Sequence, residues 1–205
     1  LLLYKPRGVV STRSDPQRRK TVVDLVAAAG VQGYFYPVGR LDYDSEGLIL
    51  LTNDGEFAER VTHPRYELDR TYEALIAGVP DERDLDRLRR GVTIDGQRTL
   101  PAVVRLLRVV DSGDGPQAVI ELTLREGRNR QVRYMCDAIG HPVDRLRRTR
   151  IGTISDRGMR TGQIRDLTPS EIKSLMGGKT PKGDQAAPEP RRPRPTRARI
   201  GSRRA

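Results

Sequence analysis

Apolar positions recur with two periods along the chain, and together they predict short strands mixed with short helices. Leu1 to Tyr4 reads as a strand, and Thr21 to Ala29, with Val22, Val23, Leu25 and Val26 apolar before Gly30, reads as a helix. Tyr36 to Asp42 and Gly47 to Thr52 read as two strands joined by the turn DYDSE. On that reading Arg40 and Asp42, two residues apart, share one strand face. Thr52 or Asn53 is placed to cap a short helix through Phe57 and Val61, and THPRYELD follows as a loop. Arg70 to Gly78 alternates, with Tyr72, Ala74 and Ile76 opposite Thr71, Glu73 and Leu75. Asp81 to Arg90 predicts a charged helix with Leu85 and Leu88 inside and Gly91 as its stop. Strands are expected near Val92 to Ile94, over Ala102 to Val110 and over Ala118 to Leu124, with the turn DSGDG before the last. Asn129 opens a helix that buries Val132, Met135, Cys136 and Ile139 on one stripe, and the capping box Thr168-Pro169-Ser170-Glu171 opens a final one. This irregular mixture, without a repeat, predicts an α+β fold and argues against a doubly wound parallel sheet.

Composition narrows the functional classes. The 205 residues suit one large domain or two small ones. No apolar run approaches the roughly 18 to 20 residues of a membrane span, so no membrane association is expected. LLLYKPRG is too short for the apolar centre of a secretory signal, and the missing initiator methionine suggests a fragment. With one cysteine and two histidines, His63 and His141, a disulfide is impossible within the chain and a Cys/His metal site has too few ligands. A reducing cytoplasm is the expected location.

The net charge of +11 is unevenly placed. Residues 179 to 205 hold nine Lys/Arg against two Asp/Glu, with five prolines and almost no bulky apolar side chains. Such a segment cannot bury enough surface to fold alone, so 178 to 205 is expected to be a disordered basic arm for phosphate-rich partners. Arginine outnumbers lysine 33 to 5, which suits bidentate phosphate contacts.

Three stretches carry candidate chemistry. GRLDYDSEG, residues 39 to 47, sets carboxylates at Asp42, Asp44 and Glu46 before a glycine, but the twelfth position of a calcium loop counted from Asp42 is Asn53, and no helix precedes it. What remains is either a surface ion pair near a turn or an ionised aspartate beside arginine, suited to act as a nucleophile. GGKT, residues 177 to 180, lacks the leading glycine of a phosphate loop, since Lys173 stands there. REGRNRQVR, residues 125 to 133, puts glycine and several cationic or amide donors between a strand and a helix, an edge fit for phosphates that Arg145, Arg147, Arg148 and Arg150 extend. Tyr4, Tyr43, Tyr66, Tyr72 and Tyr134 offer faces on which bases could stack.

Four motifs in order, KPRG (5 to 8), GRLDYDSEGLILLTNDG (39 to 55), RTYEA (70 to 74) and EGRNRQVRYM (126 to 135), resemble the RsuA family of ribosomal RNA pseudouridine synthases, nearest its large-subunit branch. The resemblance covers residues 1 to 177 as a catalytic domain. It implies a mostly antiparallel mixed sheet in two halves, with flanking helices and a central RNA-binding cleft. It also implies isomerisation of uridine to pseudouridine in ribosomal RNA, with no cofactor and no metal. Carried onto this chain, it makes Asp42 the nucleophile and Tyr72 the residue that stacks on the target uracil. Arg133 would pair with Asp42 and keep it ionised, and Arg40 would help displace the flipped base. Lys5, Arg7, Arg128, Asn129, Arg130 and Gln131 would hold RNA. Arg70, Ser45 and Tyr134 depart from the commonest residues of the pattern, and the S4-type domain that precedes many members is not in this sequence. The expected partner is ribosomal RNA or a pre-ribosomal particle, bound by a monomer. A non-catalytic RNA-binding or ribosome-assembly factor is the alternative that the basic tail motivates.

Overall fold

A computed structural model describes residues 1–113 and 115–177; the basic arm expected over 178 to 205 lies outside them. In chain order the elements are β1 (Leu2–Lys5), α1 (Val22–Ala28), β2 (Tyr36–Val38), β3 (Glu46–Thr52), α2 (Gly55–Thr62), a 3-10 turn (Pro64–Tyr66), β4 (Arg70–Ala77), α3 (Glu82–Arg90), β5 (Thr93–Ile94), β6 (Gln97–Arg98), β7 (Val103–Ser112), β8 (Gly115–Leu124), α4 (Gln131–Asp137), β9 (Val143–Ile151), β10 (Ile154–Ser155), β11 (Ile164–Arg165) and α5 (Pro169–Gly177). One sheet of nine strands runs β11-β1-β3-β9-β4-β8-β7, with β2 added to β3 and β10 to β9, while β5 and β6 form a separate hairpin. The expected α+β fold, a mostly antiparallel mixed sheet in two halves, is what forms. Among the described residues no helix is long and apolar enough to cross a membrane.

The two halves meet where β3 runs parallel to β9, with Glu46 opposite Arg147 and Gly47 opposite Arg148; the other ladders of this sheet are antiparallel. Gly47 makes that approach possible. Its φ is 107°, and a Cβ there would lie 2.3 Å from the carbonyl oxygen of Arg148. The continuous run Leu48 to Leu51 reflects burial on both faces. Leu48 and Leu50 pack with Phe57 and Val61 of α2 and Leu175 of α5, whereas Ile49 and Leu51 pack with Val22 and Val26 of α1. The other half is covered on one face. Ala74, Ile76, Ile120 and Leu122 pack under Leu85 and Leu88 of α3 and under Val132, Met135 and Cys136 of α4, which is why β4 and β8 alternate.

Two expectations change. The GRLD segment is not a strand: β2 ends at Val38, and Gly39 at φ 76° turns the chain out of the ladder. Arg40 and Asp42 therefore sit on a loop. The basic run extending from Arg145 belongs instead to β9, a central strand with Leu146, Arg148 and Ile151 buried. At a finer scale, Asp54 caps α2, its carboxylate accepting from Phe57 N at 3.1 Å.

Candidate active site

The loop from Gly39 to Ser45 is held by its backbone. Leu41 inserts into the core beside Val9 and Ile49, and the Ser11 hydroxyl grips it at both ends, donating to Leu41 O at 2.7 Å and accepting from Leu41 N at 3.1 Å. A tight turn follows, Ser45 N donating to Asp42 O at 3.1 Å. Lys5, fully buried, donates to the carbonyls of Pro6 at 3.0 Å, Asp42 at 3.1 Å and Ser45 at 2.7 Å. Gly8 N donates to Tyr43 O at 2.8 Å. The first motif thus clamps the second, leaving the Asp42 carboxylate partly exposed.

This overturns one expected role. Lys5 cannot hold RNA, because its ammonium faces three carbonyls and no solvent. Gln131 is also buried, its Oε1 accepting from Arg128 N at 3.0 Å and its Nε2 donating to Glu126 at 2.6 Å. It shapes the loop instead of contacting a ligand. Arg128 donates to Glu126 at 3.1 Å and to Arg98 O at 2.7 Å, tying the β5–β6 hairpin to the same loop.

The charge pairing also differs from expectation. Arg133 pairs with Asp44, at 2.9 Å, and not with Asp42. The reason lies at the start of α4. Arg130 adopts a left-handed backbone, φ 47°, so the helix begins only at Gln131 and carries Arg133 inward, where it also donates to Val143 O at 3.0 Å. The Arg133–Asp44 contact is poorly aligned as a hydrogen bond: Arg133 Nε and Nη2 and Asp44 Oδ1 are buried without hydrogen-bond partners among the described residues. Arg130 is the cation that reaches both carboxylates, 3.7 Å from Asp42 and 3.6 Å from Asp44.

In the same cleft as Asp42, the half-buried Tyr72 of β4 packs against core residues of both halves. The Arg148 guanidinium lies 6.0 Å from the Tyr72 ring centroid and donates to Leu48 O at 2.7 Å and Arg40 O at 3.4 Å. Arg70 donates to Val61 O at 3.0 Å and Leu68 O at 3.3 Å; burial, with Arg148 nearby, lowers its proton affinity. Between these walls is a cleft of about 310 Å³, lined by Asp42, Tyr72, Arg40, Arg128, Asn129 and Arg130 among others. Six expected site residues converge there. Lys5, Gln131 and Arg133 lie behind it, and Arg7 is exposed outside its lining. A larger hollow of about 490 Å³ near Arg87, Arg90 and Arg98 has neither a carboxylate nor an aromatic ring in its lining. Ser11 and Glu126 were missed as organisers, since one serine or glutamate carries no spacing signal.

The sequence profile of the RNA pseudouridylate synthase family matches residues 1–138. The chain belongs to that family. Ribosomal large subunit pseudouridine synthase B of Bacillus subtilis is 47% identical over 174 residues, covering 85% of this chain and 70% of that protein. The enzyme of the same name from Salmonella typhimurium is 38% identical over 179 residues, covering 86% of this chain; the chain spans 60% of that relative's length. A crystal structure of a pseudouridylate synthase superposes with a TM-score of 0.73 at 32% identity, over 85% of this chain and 72% of that one. Pseudouridine synthases are isomerases.

Proposed function

We propose that this protein converts uridine to pseudouridine in ribosomal RNA, with Asp42 as the nucleophile. The observation that carries the reading is that Asp42, on the loop before β3, and Tyr72, on β4, line one cleft whose remaining walls are rich in guanidinium groups. The names of the Bacillus and Salmonella relatives support a large-subunit RNA as substrate.

The residues suit each step. A uridine stacked in folded RNA must be extruded, at about a few kcal/mol, and Tyr72 offers the ring that receives the base. Arg40, exposed at the cleft edge, is placed to fill the gap left in the RNA. Asp42, pinned through its own carbonyl by Lys5, presents its carboxylate to the sugar's anomeric carbon or to the base as the N-glycosidic bond breaks. The uracil rotates, carbon five bonds to the anomeric carbon, the hydrogen on carbon five leaves as a proton, and N1 gains one. Atoms balance without a co-reactant. Arg130 stands 3.7 Å from the Asp42 carboxylate, a cation beside the reacting group. We assign residues 1 to 177 to the catalytic domain and 178 to 205 to an auxiliary RNA-binding arm, in a cytoplasmic monomer acting on ribosomal RNA or its precursor particle.

Pseudouridine mapping in ribosomal RNA from cells with and without the gene tests this reading. One or a few sites should vanish and return on complementation, and an unchanged map contradicts it.

A further inference from the structure

Most cations around the cleft are neutralised or bound to backbone. Arg128 and Arg130 face carboxylates, and Arg148 and Arg70 donate to carbonyls. Even in the larger hollow, Arg87 and Arg90 pair with Asp84 and Asp86. One cluster differs. The cleft wall formed by Val61, Thr62, His63, Glu67 and Leu68 is flanked by Arg60, Arg65 and Tyr66, and neither arginine has a carboxylate partner among the described residues. Their neighbours in sequence, Glu59 and Glu67, do not close to an ion pair with them.

The geometry is specific. The Arg60 guanidinium stacks on the Tyr66 ring, 3.6 Å from the centroid, and that of Arg65 lies 4.5 Å from it. Arg65 Nη2 donates to the Tyr66 hydroxyl, whereas Arg60 Nε is buried without a hydrogen-bond partner among the described residues. Burial would raise the phenol's pKa, but the two guanidinium groups outweigh it and hold the phenol below its ordinary value. His63 accepts from Arg65 N through Nδ1 at 3.2 Å, leaving Nε2 as the remaining donor. Two guanidinium groups thus converge beside one neutral oxygen, with donors left over. An anionic oxygen is the stronger acceptor for that arrangement, and the ring face already taken by Arg60 disfavours a stacked base.

We propose that the Arg60–Arg65–Tyr66 cluster is a docking site for a backbone phosphate of RNA flanking the target nucleotide, on the α2 side of the cleft. This rests on the reading of the cleft as an RNA site. It extends that site beyond the residues named by the sequence motifs, and it holds the strand without reading its bases.

Fluorescence anisotropy of the full chain with a labelled single-stranded oligouridylate, across a salt series, tests the site. Arg65→Ala should weaken binding about tenfold at low salt and lower the slope of log Kd against log salt by about 0.7, the loss of one phosphate contact. Arg60→Ala with Arg65→Ala should weaken binding further but lower the slope by no more than about 0.7, since the same single phosphate is lost. Arg65→Lys should restore the slope. In tritium-release assays on ribosomal RNA, Arg65→Ala should raise KM and leave kcat as it is. Wild-type affinity, slope and KM in Arg65→Ala overturn the site while leaving the synthase reading intact. If instead the wild type releases no tritium, the reading fails and the binding arm still decides the site.

Discussion

Lys5 places one ammonium against three carbonyls, and two of those belong to the turn that carries Asp42. Burial pushes its pKa down to about 8, against an upward pull from Asp44, Asp42 and Glu46 and a further push down from Arg148. Because the folded chain binds this proton more weakly than the unfolded chain, whose ordinary value is 10.5, the folded state gains stability as pH rises from about 8 towards 10.5. Denaturant midpoints of the wild type and Lys5→Met over that range should therefore diverge in favour of the wild type as pH climbs; a constant gap contradicts the clamp. Ser11→Ala removes a hydroxyl that both donates to and accepts from Leu41, and should cost about 1 to 2 kcal/mol in chemical denaturation. That Asp42, Tyr72 and the arginines of the motifs would share a cleft was legible, but which groups pair was not. Arg133 meets Asp44 only because Arg130 delays the helix by a left-handed residue, a backbone choice that composition does not announce.

At the scale of elements, the junction of β3 and β9 positions everything else, because it brings the Asp42 loop against the strand that carries Arg148. Gly47→Ala would force a methyl onto the Arg148 backbone and should destabilise the fold by roughly 2 to 4 kcal/mol, with activity falling as the halves separate. Gly39→Ala has open space around it and should cost only about 1 to 2 kcal/mol, from its positive φ alone. Thermal melts of the two variants check the ordering. Strands with a single buried face, such as β4 and β8, and helices with a clear stripe, such as α3 and α4, were legible from their periods. β9 was not, because VDRLRRTRI buries Arg148 at a position where alternation leads one to expect an apolar residue, and it reads as cations extending a phosphate-binding edge. The strand end at Val38 was equally hidden, since Leu41 looks like the next inward strand residue while it is in fact the anchor of a loop.

For the whole molecule, the α+β class and its two halves followed from the irregular mixture of elements and from the family resemblance, and the parallel seam followed from neither. Nine of the cations lie in residues 179 to 205, against two carboxylates. Removing that segment should flatten the salt dependence of RNA binding by about 0.7 for each cation engaged, with kcat on a saturating substrate unchanged. The central claim is that one of two neighbouring carboxylates, both within reach of Arg130, performs the chemistry while the other holds Arg133. Release of tritium from ribosomal RNA labelled at carbon five of uridine measures this directly. Asp42→Asn should abolish release while still binding RNA, and Asp44→Asn should retain measurable turnover; release by Asp42→Asn at the wild-type rate contradicts the account.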